Sequence, residues 1–334
     1  MQTRTLGRTG HDVSVIGLGT WQLGADWGDV DESDAMAVLD AAAGAGVTIF
    51  DTADVYGDGR SESLIGRWLA SNPGSAVFVA TKMGRRAPQD PAEFTAANFR
   101  TWIDRSRRNL GVERLDLVQL HCPPTAVLSA DPVFDALDEF VAEGAIAHYG
   151  VSVETCDEAL TAIARPGVAS VQIILNAFRL KPLDEVLAAA AAAGVGIIAR
   201  VPLASGLLSG RYGHDTTFAD SDHRTFNRHG ESFDVGETFS GVDYDAGVDA
   251  AREFASAAPG FVVDAPGGEP STAQLALAWI ARIRAVSTVI PGARNPDQAR
   301  SNAAAGSIAL SAGIDDLVRS LYDRAFRAAV HPRW

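Results

Sequence analysis

The sequence predicts an α/β protein built as a (β/α)8 TIM barrel, with an N-terminal β-hairpin and a long loop after the seventh strand. Three observations carry this expectation. Eight short apolar runs of strand length recur along the chain. Segments of helical period lie between them. No complete GxGxxG turn follows an early run, as it would in a doubly wound open sheet that holds a dinucleotide; Gly17 and Gly19 match that turn only in part. Near-continuous apolar strands alternating with helices imply a parallel sheet covered on both faces. A length of 334 residues fits one such barrel as a single domain, and the open sheet stays the structural alternative.

In chain order, TRTLGRTGHDV carries the turn LGRTG between two short segments and reads as a hairpin able to close the bottom of a barrel. The strand candidates follow: SVIGLGT, VTIFDTA, VFVATK, LDLVQLH, AIAHYGVS, SVQIILN, VGIIARV and STVIPG. Amphipathic stretches lie at 33 to 46, 91 to 111 and 131 to 144, with Asp or Ser at their starts and Gly at several ends as caps. The alanine run near 187 to 193 has strong helix propensity and stops at Gly194. The interval 211 to 268 is rich in Gly, Asp, His, Ser and aromatics, with one helix-like piece, DAGVDAAREFASAA. A connection of that length reads as a lid over a binding site, with a passive surface insertion as the alternative.

Composition narrows the function classes. A net charge of -14 and a pI near 4.9 oppose nucleic-acid binding. They do not oppose a small anionic ligand, which a few local cations and backbone amides can hold. No apolar run approaches the roughly 20 residues of a membrane span, and the polar start gives no secretory signal. Cys122 and Cys156 form no disulfide framework and no zinc spacing. A cytoplasmic location is the expectation, with no membrane partner; a homo-oligomer stays open. Of 28 basic residues only Lys82 and Lys181 are lysines. A lysine inside VFVATK is therefore not there for solubility.

In a barrel of this class the C-terminal strand ends face the active site. Asp51 ends VTIFD with Tyr56 in the loop beyond, Lys82 ends VFVATK, and His121 ends LDLVQLH. Singly, Asp51 could cap a helix, Tyr56 could be a loop aromatic and His121 a core histidine. A buried Lys82, however, demands an anion, and Asp51 is the one within reach. A phenol near pKa ~10 becomes a useful acid only beside a cation. Lys82 supplies that cation, Asp51 holds it, and His121 can hydrogen-bond a carbonyl oxygen opposite Tyr56. Such a site polarises a carbonyl but lacks a reductant, so a nicotinamide or flavin cofactor is implied. A metal-dependent lyase or hydrolase using Asp51 and His121 is disfavoured: Lys82 would repel the ion, and no further ligand completes the shell.

From the hairpin to the helix after the eighth strand, the chain resembles the aldo-keto reductase superfamily. The matching motifs are GLGTW (17 to 21), FDTADVYG (50 to 57), ATKMG (80 to 84), LHCP (120 to 123), GVS (150 to 152), PLASGLLSGRY (202 to 212) and IPGARNPDQARSN (290 to 302). The resemblance implies a catalytic tetrad at Asp51, Tyr56, Lys82 and His121, with no metal. It also implies NADPH, in preference to NADH, extended across the barrel mouth for reduction of an aldehyde or ketone, or the reverse. Gly19, Thr20 and Asp51 fall on cofactor-side positions, and Ser152 and Gln172 on those holding the carboxamide. Val201, Pro202, Leu203, Ser205 and Arg211 match the pyrophosphate-covering segment, and Gly292, Arg294, Gln298 and Asn302 the adenosine end. Trp21 matches a substrate-side aromatic, beside Tyr56 and His121. The chain departs from the pattern in three places. Arg200 replaces the aromatic stacked under the nicotinamide, Val153 replaces an Asn, and Gly292 and Gln298 replace Lys and Arg at the 2′-phosphate, which leaves Arg294 as its cation. A binding-module alternative, an NADPH-binding regulatory unit of the potassium-channel β-subunit type, is disfavoured because those relatives carry Asn where His121 stands.

Overall fold

The structure, a computed structural model, describes residues 1–24 and 30–334. Strands β1 (Thr3–Thr5) and β2 (Asp12–Ser14) pair as an antiparallel hairpin. The barrel strands are β3 (Leu18–Gly19), β4 (Ile49–Asp51), β5 (Phe78–Met83), β6 (Leu115–His121), β7 (Ile146–Ser152), β8 (Val168–Ile174) and β9 (Gly196–Arg200). Strand β10 (Val262–Asp264) lies outside the barrel, β11 (Thr288–Val289) is the eighth stave, and β12 (Ala309–Leu310) pairs with β10. From β3 to β9 each strand pairs in parallel with the next, β11 joins β9, and the bridges Ile16↔Val289 and Gly19↔Gly292 close the ring.

Helices α1 (Glu32–Gly44), α2 (Arg60–Ser71), α3 (Ala96–Leu110), α4 (Asp131–Ala142), α5 (Cys156–Ile163) and α6 (Val186–Ala193) fill the crossovers. The short α7 (His223–Phe226) and then α8 (Tyr244–Ala257) follow β9; α9 (Thr272–Ala281) precedes β11, and α10 (Pro296–Ala304), α11 (Gly313–Ala325) and α12 (Arg327–Val330) end the chain. None of the described helices is long and apolar enough to cross a membrane. The expected helix over 91 to 111 is shorter at its start. Pro91–Glu93 forms a separate tight turn, buried Phe94 anchors the chain, and Thr95 caps α3 by accepting from the Asn98 N–H.

Closing the ring explains the two early glycines. A Cβ at Gly17 would lie 2.8 Å from Ile49 Cγ2, and one at Gly19 2.9 Å from the Ile290 carbonyl. Gly17 lets the first stave approach β4 and Gly19 lets it approach the segment that follows the last stave, so the partial GxG is a packing device. At the opposite end of the barrel the hairpin acts as the plug. Leu6 and Val13 pack with Ile49, Phe78, Ala80, Leu117 and Ile198 in an internal apolar cluster. Arg4 donates to the Ala281 and Val286 carbonyls (both 2.6 Å), and Arg8 to those of Pro166 (2.6 Å) and Ala193 (2.8 Å). Ala281 and Ala193 are the last residues of α9 and α6, where a cation meets the negative end of the helix dipole.

Gly7 holds φ +48°, and a Cβ there would sit 2.1 Å from the Gly196 nitrogen and 2.4 Å from the Ala169 carbonyl. Gly7→Ala should therefore destabilise the barrel by about 2 kcal/mol or more. Urea unfolding of both forms checks this, and equal midpoints would contradict the plug.

Candidate active site

The parallel register sets the site. Asp51 pairs with Ala80 across β4 and β5, and Lys82 lies two residues further along the same face. Lys82 in turn pairs with Gln119, and His121 on the same face of β6 pairs with Ser152 at the end of β7. Ser152 pairs with Gln172 on β8. Every one of these residues lies inside the ring at its C-terminal mouth. Asp51, His121, Ser152 and Gln172 border a cleft of about 710 Å³, with Lys82 beneath its floor.

The three ammonium hydrogens of Lys82 find acceptors in Asp51 Oδ1 (2.5 Å), the Thr52 carbonyl (2.9 Å) and Tyr56 Oη (3.4 Å). The second oxygen of Asp51 accepts from the amides of Gln172 (2.8 Å) and Gln119 (3.3 Å). Burial opposes the ammonium, but Asp51 and Tyr56 outweigh it and hold the Lys82 pKa above its ordinary value. For Tyr56 burial is the larger effect and Lys82 only offsets it, so the phenol sits above its usual range and stays protonated. His121 is held well below its ordinary value by burial and by Arg85, Lys82 and Arg200, so the imidazole is neutral. Its Nδ1 is buried with no hydrogen-bond partner among the described residues. The His121 and Trp21 rings lie 5.9 and 6.0 Å from that of Tyr56, the first edge-on and the second nearly parallel.

The loop that carries Tyr56 is fixed from below. Gly57, at φ +58°, passes so near Gly24 that a Cβ would lie 2.2 Å from its carbonyl oxygen. Two residues before Tyr56, Asp54 is fully buried, and neither carboxyl oxygen has a hydrogen-bond partner among the described residues. Burial, and then Glu62, push its pKa up to about 7 against Arg86 and Arg105.

Arg200 ends β9 in a buried charge cluster that sequence reasoning missed. Its Nη2 donates to Glu154 (2.7 Å) and to the Val153 carbonyl (3.1 Å), and its Nη1 lies 3.6 Å from Glu237. Arg85 meets Glu237 at 3.0 Å and Glu154 at 3.5 Å. Val153, which stands where the resemblance has an Asn, supplies its backbone carbonyl here. The missed signals are partly visible: Glu154 directly follows the GVS motif, and an arginine closing a buried strand calls for an acid. Glu237 carries no such mark.

The other sequence-predicted residues border the same cleft. Gly19, Thr20 and Trp21 stand on one side, Val201, Pro202, Leu203, Ser205 and Arg211 cover it, and Gly292, Arg294, Gln298 and Asn302 close the far end. Val201, Ala204 and Ser205 have φ of 51°, 48° and 53°, a run of non-glycine residues in the left-handed region, as strained functional turns often show. The Ser205 hydroxyl donates to the Glu237 carbonyl (3.1 Å) and accepts from the Phe239 N–H (2.9 Å). At the far end Asn302 donates to the Gly292 carbonyl (3.1 Å), and Gln298 accepts from the Arg294 N–H (2.8 Å). Gln22 fills the space a side chain at 292 would take: a Cβ on Gly292 would lie 2.1 Å from its Oε1, a buried oxygen with no partner among the described residues. Arg200, Arg211, Arg224 and Arg294 all border the cleft, and their cations suit an elongated, polar, anionic ligand.

The fold is that of a parallel (β/α)8 barrel, and a phenol, a buried lysine–aspartate pair and a neutral imidazole meet at its C-terminal mouth. The chain belongs to the aldo/keto reductase family, whose model matches residues 15–321. It is 32% identical over 322 residues to an uncharacterized oxidoreductase of Mycobacterium tuberculosis (strain ATCC 25618 / H37Rv), covering 94% of this chain and 91% of that one. It is 26% identical over 327 residues, 95% of this chain and 91% of the other, to a Schizosaccharomyces pombe aldo-keto reductase whose name carries NADP(+). Among solved structures, the glycerol dehydrogenase from Gluconobacter oxydans superposes with a TM-score of 0.77 at 26% identity, covering 97% of this chain and 95% of that one.

Asp54 gives a pH test of the site's foundation. An acid whose pKa is raised on folding contributes stability that is intact below its unfolded value, near ~4, and lost as pH rises through about 7. Asp54→Asn should therefore gain on the wild type between pH 5 and pH 8 by on the order of 2–4 kcal/mol. Chemical denaturation at both pH values measures this, and a difference that does not change with pH would contradict it.

Proposed function

We propose that this protein is an NADP-dependent oxidoreductase that reduces aldehydes or ketones to alcohols, or runs the reverse, with Tyr56 as general acid and base. The observation that carries the reading is the Tyr56 hydroxyl placed 3.4 Å from the Lys82 ammonium. Ser152 and Gln172 would hold the carboxamide end of the cofactor, with Gly19 and Thr20 beside them. Arg200 would lie against the nicotinamide ring. Val201, Pro202, Leu203, Ser205 and Arg211 would cover the pyrophosphate, and Gly292, Arg294, Gln298 and Asn302 would hold the adenosine. When bound, a nicotinamide supplies the hydride that no side chain of the cleft can provide.

The residues of the chain handle the proton. A substrate carbonyl oxygen near Tyr56 and His121 receives a hydrogen bond from each, the neutral imidazole donating without adding charge. As negative charge builds on that oxygen, Tyr56 passes its proton to it, and the phenolate left behind is stabilised by Lys82. Asp51 keeps Lys82 charged, and the Gln119 and Gln172 amides keep Asp51 from turning toward the substrate. In the reverse direction the same phenolate accepts the proton of an alcohol. Trp21 would form the substrate-side wall. The segment 211 to 268 would serve as a lid, because Arg211, Tyr212, Arg224 and Glu237 from its first part line the cleft. The free thiols of Cys122 and Cys156 accord with a reducing, cytoplasmic setting.

Tyr56→Phe should lower kcat by at least about 100-fold while NADPH affinity stays within about threefold. Following the loss of reduced-nicotinamide absorbance with an aromatic aldehyde measures the first and calorimetry the second; near-normal turnover removes Tyr56 from its role. Arg294→Ala should weaken NADPH about tenfold or more, as expected for a lost charge-assisted phosphate contact, and leave NADH nearly unchanged. Equal weakening of both would show that Arg294 does not read the 2′-phosphate.

A further inference from the structure

Arg200 brings a cation to a place in the cleft where an aromatic ring would have the opposite electrostatic effect. The face of an aromatic ring is negative and attracts a cationic partner, whereas a guanidinium repels one and still stacks on a neutral ring. The pairing of Arg200 is incomplete. Glu154 and the Val153 carbonyl take Nη2, Glu237 stands 3.6 Å from Nη1, and the buried Nε has no hydrogen-bond partner among the described residues. The two carboxylates are also shared with Arg85. Burial, reinforced by Glu237, pushes the Glu154 pKa up to about 7 despite Arg200 and Arg85. Burial works against the Glu237 carboxylate too, but Arg85 and Arg200 outweigh it and keep it ionised. Two arginines thus share two buried carboxylates, of which burial favours the protonated form of Glu154, so the charge of Arg200 is incompletely compensated.

We propose that Arg200 selects the redox state of the cofactor: it makes the cleft hold the reduced, uncharged nicotinamide more tightly than the oxidised, cationic one. The inference rests on the cofactor reading given above. In a water-poor cleft a unit charge beside a guanidinium is repelled far more strongly than in bulk solvent, while the neutral ring loses nothing. The site then loads readily with the reduced cofactor and releases the oxidised form, which suits a reductase working in the direction of alcohol formation. Glu237 and Glu154 act as positioning residues: they aim the guanidinium and set how much of its charge remains uncompensated.

Calorimetric titration with NADPH and with NADP+ tests this without any turnover. The wild type should bind NADP+ at least about tenfold more weakly than NADPH, a difference of ~1.4 kcal/mol. Arg200→Tyr should bring the two dissociation constants within about twofold of each other, because the ring face attracts the cation. The double variant Arg200→Met/Glu154→Gln removes the guanidinium together with the carboxyl group it holds, which guards against misfolding from an orphaned carboxylate, and should give the same collapse. Glu237→Gln should widen the preference about threefold or more, since it removes an anion beside the guanidinium. A wild-type ratio near one, or a ratio unchanged in both Arg200 variants with thermal melts showing them folded, overturns the proposal alone. A wild type that binds neither form overturns the cofactor reading and this proposal with it.

Discussion

The buried pair of Lys82 and Asp51 is the interaction on which the rest of the site depends. Two charges taken out of water cost several kcal/mol each, and their mutual attraction repays this only when the remaining donors and lone pairs are also satisfied. Here they are: the Thr52 carbonyl and the Tyr56 hydroxyl take the other ammonium hydrogens, and two glutamine amides take the second carboxylate oxygen. The pair ties β4 to β5, and its glutamines extend the tie to β6 and β8. Half of the barrel is thereby held in the one register that puts Tyr56, His121 and Ser152 at the same mouth. A slip of one residue in any of these strands would send its side chains to the opposite face and leave a buried charge alone.

A consequence is a separation of charge from chemistry. Full charges lie under the floor of the cleft or in its wall, while the groups that would touch a carbonyl oxygen, the Tyr56 phenol and the His121 imidazole, are both uncharged. Burial keeps the phenol protonated and strips the imidazole of its proton. Lys82 therefore does not ionise Tyr56 at rest. In the proposed reaction its benefit would appear when the proton leaves, because only then would there be a phenolate for the ammonium to stabilise. An interaction that strengthens as the reaction proceeds lowers the barrier, where one of equal strength throughout would only tighten binding.

The parts of this arrangement carried by local pattern were legible in the sequence. Eight apolar runs at strand spacing gave the barrel. The scarcity of lysine singled out Lys82, and strand-final polar residues located the mouth. What could not be read depends on three-dimensional proximity between unpatterned segments. Glu237 sits in a stretch with no periodicity, and only the path of that stretch across the mouth brings it to Arg85 and Arg200. Asp54 stands inside the recognised FDTADVYG motif, yet its full burial without a hydrogen-bond partner among the described residues, beside the charge of Glu62, arises only in the folded chain. Gln22 took its meaning from an absent side chain at 292. The partial GxG at Gly17 and Gly19 was visible from the start, but its purpose, the close approach of the first stave to its neighbours on both sides, belongs to the ring as a whole.

The long segment after β9 is bound into the same electrostatic scheme. Its Glu237 lies against two arginines, one in the loop after β5 and one at the end of β9, its backbone at 237 and 239 brackets the Ser205 hydroxyl, and Ser240 accepts from Asn176 at 2.7 Å. Asp234 accepts from the Trp334 indole at 3.0 Å, and Arg179 lies over the face of that ring at 4.1 Å. A surface insertion tethered only at its ends would need none of these. Removing Glu237 would leave Arg85 and Arg200 facing Glu154 alone, and withdrawing the whole segment would expose the strained turn at 201 to 205. The placement of the segment and the charge state of the cleft are therefore one constraint, and any motion that opens the mouth on this side must first separate Glu237 from its arginines.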